Sequence, residues 1–351
     1  MSKTDAGNFF EDFAVGKVLH HATPLTLSHG DASLYRGLYG TRFAVQSADS
    51  FAQSVGYAKA PLDDLLVFHV VFGKTVPDIS LNAVANLGYA EGVFKRAVYP
   101  GDTLSSVSEV IGVKENSNGK TGTVYVRTKG TNQDGDEVLS YCRWVMVKKR
   151  DAASPAPEPS VPELNKSVDP TELGNAVPII DFAAWDDALA GSANRWEDYE
   201  PGERIDHVDG MTVEESDHML ATRLYQNTAK VHFNQHTEKD SRFGRRLIYG
   251  GHVISLARAL SFNGCQTAFH VAAINGGRHV APLFAGDTVY AWSDVLERAE
   301  IPGRRDIGAT KMRLVATKNL SCRDKPYKDG DSYADGVILD FDMWVVMPRR
   351  A

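Results

Sequence analysis

Residues 11–46 read EDFAVGKVLHHATPLTLSHGDASLYRGLYGTRFAVQ, and residues 197–232 read EDYEPGERIDHVDGMTVEESDHMLATRLYQNTAKVH. Laid over one another at an offset of 186, they match without a gap, and ten of the 36 positions are identical. Among these are Asp12/Asp198, Gly16/Gly202, His21/His207, Asp31/Asp217, Leu38/Leu224 and Tyr39/Tyr225. Further on, Gly101, Asp102 and Thr103 recur as Gly286, Asp287 and Thr288. A match this long at such a period indicates duplication of a whole domain, which constrains the architecture more strongly than any single element does.

Each copy follows one plan. Residues 17–27 read as a strand interrupted by Pro24, and a helix opens at His29 with Asp31 placed as its N-cap. Residues 44–58 form a second short helical stretch. Residues 65–72, LLVFHVVF, are uniformly apolar and predict a buried core helix near 62–76, matched by one near 249–263. Four β-rich runs follow, 83–94, 104–113, 121–129 and 138–148, with turns at 100–102, 116–119 and 132–135. Residues 150–162, RDAASPAPEPSVP, have the composition of a linker, and 163–195 form a poorly patterned lead-in. We therefore divide the chain into a first domain at 1–150, a linker and lead-in at 151–195, and a second domain at 196–351. Each core helix is expected to be wrapped by a mostly antiparallel sheet, with the two sheets joined edge to edge, an α+β fold.

Composition narrows the function. The net charge is −7, so no basic footprint for nucleic acid is present. No apolar run reaches the length of a membrane span, and the segment MSKTDAGNFFEDF is too acidic for a signal peptide. The three cysteines, Cys142, Cys265 and Cys322, lie far apart, which fits a reducing cytoplasm. No His, Cys or Asp cluster has metal-ligand spacing, and neither GxGxxG nor GxxxxGK occurs, so neither a metal nor a cofactor is expected.

The two copies differ at the chemically capable positions. Opposite Thr41 stands Asn227, and opposite Gln46 stands His232. Imidazole titrates near neutrality, so His232 is the candidate acid–base of the second copy, with the first copy degenerate and supporting substrate. Asn227 is an amide and cannot be the base; it can orient water, hold the imidazole, or cap a turn. Gly250 and Gly251 open the second core helix, where backbone N–H groups can stabilise an oxyanion. His252, next to them, is expected to face away. His20 and His21 read as structural, and Asp217, like Asp31, as a helix cap. Arg245, Arg246 and Arg278 are candidates for binding phosphate or carboxylate groups, because guanidinium binds both in bidentate fashion.

The junctions VYPGDT at 98–103 and LFAGDT at 283–288, with the core helix before each, resemble the hotdog fold of the MaoC-type R-specific enoyl-CoA hydratases. That family carries Asp-x-Asn-Pro-(Ile/Leu)-His-x-Asp. In the same register this chain has Asn227, Ala229, Lys230 and His232, so the histidine is kept and the leading carboxylate is not. The resemblance implies a double hotdog. It also implies hydration of an acyl-CoA thioester by a homo-oligomer, a dimer, without a cofactor. The likeness of 71–90, VFGKTVPDISLNAVANLGYA, further implies a branched C5 dicarboxylic enoyl-CoA. Two other readings stand beside it. GlyGlyHis at 250–252 resembles the Gly-Gly-Gln of double-hotdog thioesterases, in which Asn227 would position a hydrolytic water. A non-catalytic acyl-CoA binder is the third.

Overall fold

The structure, a computed structural model, describes residues 3–323 and 325–350, with Phe182 as backbone only. The first half runs β1 (Val18–Thr26), α1 (His29–Tyr39), α2 (Ala44–Ser47), α3 (Asp49–Ser54), α4 (Asp64–Lys74), β2 (Ala83–Phe94), β3 (Thr103–Glu115), β4 (Thr121–Thr131) and β5 (Glu137–Lys148). After α5 (Asp187–Ala190) the second half repeats it: β6 (Arg204–Thr212), α6 (Glu215–Leu224), α7 (Lys230–Phe233), α8 (Gln235–Glu238), α9 (Gly250–Leu260), β7 (His270–His279), β8 (Thr288–Glu300) and β9 (Ile307–Lys318). A small hairpin, β10 (Lys328–Asp329) and β11 (Ser332–Tyr333), precedes the closing strand β12 (Val337–Pro348).

The ten long strands form one antiparallel sheet in the order β1-β3-β4-β5-β2-β7-β12-β9-β8-β6. The order is a palindrome of the two halves. They join edge to edge where Tyr89 pairs with Gly277, Gly92 with Ile274 and Val93 with Ala273, so the two edges cover one another. The core helices α4 and α9 share one hydrophobic cluster inside this sheet. Nearly every side chain of α4 is buried, as a helix apolar all round requires. The repeated Gly-Asp-Thr turns are alike in detail. Gly101 and Gly286 sit at φ +109° and +93°, which glycine adopts without strain, and Asp102 and Asp287 each accept the N–H three residues back. The close approach of α4 to the end of α6 requires Gly73, because a Cβ there would lie 1.7 Å from the Tyr225 carbonyl oxygen.

The expected helix caps are corrected, and the connecting segments are placed. The cap of α1 is Ser28, with Asp31 completing a capping box three residues on, while α6 begins after Glu214 with no side-chain cap; Asp217 lies in its first turn. Residues 150–162 do not float, since Ser160 bridges Val113 of β3. The lead-in is not patternless in space. Val168, Leu173, Ile180 and Trp185 join a second cluster with Phe51, Phe269 and Trp344.

Candidate active site

The starts of the two core helices differ. At α4, the Asp63 carboxylate accepts the Leu65 N–H at 2.9 Å and caps the helix. At α9 the equivalent position is Tyr249, and no side chain caps the helix. Rings close over this uncapped start. A Cβ at Gly250 would lie 2.4 Å from the His279 ring, and one at Gly251 2.4 Å from Tyr249 and 2.6 Å from His69, so only glycine fits. A bare helix start offers N–H groups and a positive dipole end to a developing negative charge. Around it stand buried polar atoms without partners among the described residues: the Tyr249 hydroxyl and the Nδ1 atoms of His69 and His218. Such atoms are costly unless a ligand meets them.

Five imidazoles converge here and are neutral. Burial pulls His218 down to about 2, His69 and His252 to about 3, and His232 and His279 to about 4. Their hydrogen bonds assign the tautomers. His232 donates Nδ1–H to the Leu247 carbonyl at 3.0 Å, which partly offsets its burial and leaves Nε2 as an acceptor, a base. His218 is the reverse: its Nε2 accepts the Tyr249 N–H at 2.9 Å, so its proton is on Nδ1. The two rings stand edge to face with centroids 5.9 Å apart, and His232 lies 5.4 Å from Tyr249. An acceptor and a donor thus flank the same uncapped helix. His252 does not face away, as the sequence suggested. Its Nδ1 accepts from the Tyr39 hydroxyl at 2.9 Å, which in turn accepts from Tyr225 at 2.7 Å, so the twin tyrosines meet across the halves.

Asn227 and His232 share one turn but not one direction. Asn227 Oδ1 accepts the Ala229 N–H at 3.0 Å, an Asx turn, and the imidazole is held by Leu247 instead. Asn227 lines an adjoining cleft of about 490 Å³ between the halves, together with Thr228 and Phe233. In the first half, Thr41, Gln46 and Asp63 line a space of only about 10 Å³, room for a single water at most. There Gln46 donates to the Phe269 carbonyl at 2.5 Å. The first copy is therefore capped and nearly filled, whereas the second has an uncapped helix start and a cleft next to Asn227.

The arginines separate. Arg246 is ion-paired to Glu215 and braces the 233–246 loop to α6. Arg245 is exposed, donates to the Ala285 carbonyl at 2.8 Å and lies over the Phe284 ring. Arg278 is exposed on β7 opposite Asp340. His21 is a structural residue, bonded to Asp78 and Ser108. Sequence reading passed over His218, His69, His279 and Tyr249, and turned His252 away from the site. The repeat held a signal for two of them: at the same offset, His218 stands opposite Ala32 and His252 opposite Leu66.

A ten-stranded sheet around two core helices, built from two copies of one unit, is the fold of the double-hotdog MaoC-type dehydratases. A sequence model described as Mesaconyl-CoA hydratase matches residues 1–334. The β-methylmalyl-CoA dehydratase of Chloroflexus aurantiacus is 60% identical over 351 residues, covering 99% of each chain. The mesaconyl-CoA hydratase of Cereibacter sphaeroides is 57% identical over 350 residues, covering 99% of this chain and 100% of the other. The crystal structure of a MaoC-domain dehydratase from Chloroflexus aurantiacus superposes with a TM-score of 0.98 at 60% identity, covering 100% of both chains. The chain belongs to the mesaconyl-CoA hydratase family, and it is a hydro-lyase.

Proposed function

We propose that the protein reversibly hydrates mesaconyl-C1-CoA (2-methylfumaryl-CoA) to β-methylmalyl-CoA, at one site per chain in the second half. The observation that carries the chemistry is the base and donor pair, His232 Nε2 and His218 Nδ1–H, beside the uncapped Gly250–Gly251 amides. The substrate follows from the relatives, which match this chain from end to end.

The thioester carbonyl accepts the Gly250 and Gly251 N–H groups and gathers enolate charge as water adds. Neutral His232 takes a proton from the water that attacks C3, and the imidazolium so formed returns that proton to C2 of the enolate. His218, by donation, orients that water, and Asn227, by its free amide, faces the adjoining cleft and positions the substrate there. Arg245 and Arg278 contact the CoA phosphates from outside, whereas Arg246 serves the loop. The first domain, residues 1–150, supports the substrate; 151–195 connects; 196–351 catalyses. The protein is a cytoplasmic homodimer on this reading, consistent with three free buried cysteines, and no described helix is long and apolar enough to cross a membrane.

The test incubates purified protein with mesaconyl-C1-CoA, crotonyl-CoA and their hydrated forms while following enoyl-thioester absorbance and free thiol together. Loss of absorbance without thiol supports the reading. Thiol release points to a thioesterase, and tight binding with neither change points to a binder.

A further inference from the structure

The cleft beside Asn227 has an unusual floor. Lys74, the last residue of α4, reaches into it from the first half and is 1% exposed. Its ammonium donates to the Thr23 carbonyl and, at 2.9 Å, to Gln226 Oε1, two neutral oxygens. Lys74 makes no ion pair among the described residues. Burial alone pulls it down to about 8, with no carboxylate to offset it. A buried cation is costly unless paired. The cleft lining adds a second cation, Arg223, and contains no acid, while Ala22, Pro77, Met219 and Phe233 give it apolar walls.

Two features of the repeat indicate that this amine is not there for packing. Opposite Lys74, at the same point of α9, stands Leu260, so the position accepts an aliphatic side chain in the other half. Opposite Gln226 stands Gly40. Both occupy the left-handed region, at φ +55° and +66°, but Gln226 carries a side chain there and uses it to hold Lys74. A non-glycine residue in that region is strained, and the strain must be offset elsewhere.

We infer that Lys74 is the counter-ion for the free carboxylate of a dicarboxylic acyl-CoA, held at the floor of this cleft and supplied by the otherwise degenerate half. The inference rests on the proposed hydration of such an ester. Its reach is consistent with the helix. His69 lies against Gly251, and Lys74 is five residues on, about 7.5 Å of rise. That is comparable with the span of an extended four-carbon diacid plus a hydrogen bond at its far end.

The experiment compares wild type, Lys74→Leu and Lys74→Gln by calorimetric binding of two saturated esters that do not turn over, succinyl-CoA and butyryl-CoA. It also compares kcat/KM on mesaconyl-C1-CoA and crotonyl-CoA. Wild type should prefer succinyl-CoA, and both variants should lose that preference by about 100-fold in the Kd ratio, on the scale of a charge-assisted pair. The kcat/KM ratio of the two enoyl esters should fall to match, chiefly through KM. Parallel losses on both esters would mean that Lys74 contacts CoA or only packs, and the inference would be overturned, as it would by an unchanged ratio. Absence of mesaconyl-C1-CoA hydration by wild type would instead overturn the proposed function, because the saturated esters test Lys74 without turnover.

Discussion

His232 is the proposed base, and its surroundings prescribe how it behaves. Its Nδ1–H is engaged with Leu247 and its pKa lies near 4, so Nε2 stays unprotonated across the neutral range. The acid limb of the kcat/KM profile should therefore fall near pH 4 to 5, and a limb at the usual 6.5 would show that the ring is solvated in the free enzyme. His232→Ala should lower kcat by about 10²–10⁴-fold. Gln46→Ala, in the closed twin, should have a far smaller effect, and equal losses would mean that the halves share catalysis. Asn227→Asp restores the family motif yet places an acid in a cleft that has none. It should lower kcat/KM on mesaconyl-C1-CoA while favouring crotonyl-CoA relatively, by a few kcal/mol at most. A gain on the dicarboxylic ester would remove the charge argument. His232 was legible because its twin is a glutamine and the motif register was intact. His218 and His252 differ from their twins Ala32 and Leu66, but a histidine on a helix carries no periodic signal, so only the comparison of the copies could have singled them out.

The deciding element is the start of α9. Sequence predicted a glycine-opened helix at 249–263, and it runs from Gly250 to Leu260. It did not show that the twin α4 is capped by Asp63, because a cap is recognised only once the helix boundary is known. Gly251→Ala should force the Tyr249 and His69 rings apart, costing about 1–3 kcal/mol as overpacking does, and lowering kcat more than KM raises. A Gly251→Ala enzyme with unchanged kcat would mean that these amides do not meet the transition state. Asp63→Ala removes a cap from the first half, away from the proposed base, and should cost about 1 kcal/mol of stability, read as Tm, without a matching fall in kcat.

Across the whole molecule, the palindromic sheet was readable from the repeat, since strand order, core helices and turns recur at one offset. The lead-in at 163–195 was not, because its buried residues follow no period and gain meaning only against Phe51 and Trp344. The buried imidazoles also act together. Burial lowers His21, His69, His207, His218, His232, His252 and His279. Each binds fewer protons folded than unfolded, so stability is full above the unfolded value near 6.5 and is lost as pH falls toward 4. Tm should drop steeply across that window with proton uptake on unfolding; a flat Tm from pH 7 to 4 would contradict neutral burial. The central claim, addition of water at one site, is tested most directly by incubating the enzyme with mesaconyl-C1-CoA in H₂¹⁸O and weighing the product. The account predicts an intact CoA ester heavier by one labelled water. Free CoA beside an ¹⁸O-labelled carboxylate would contradict it.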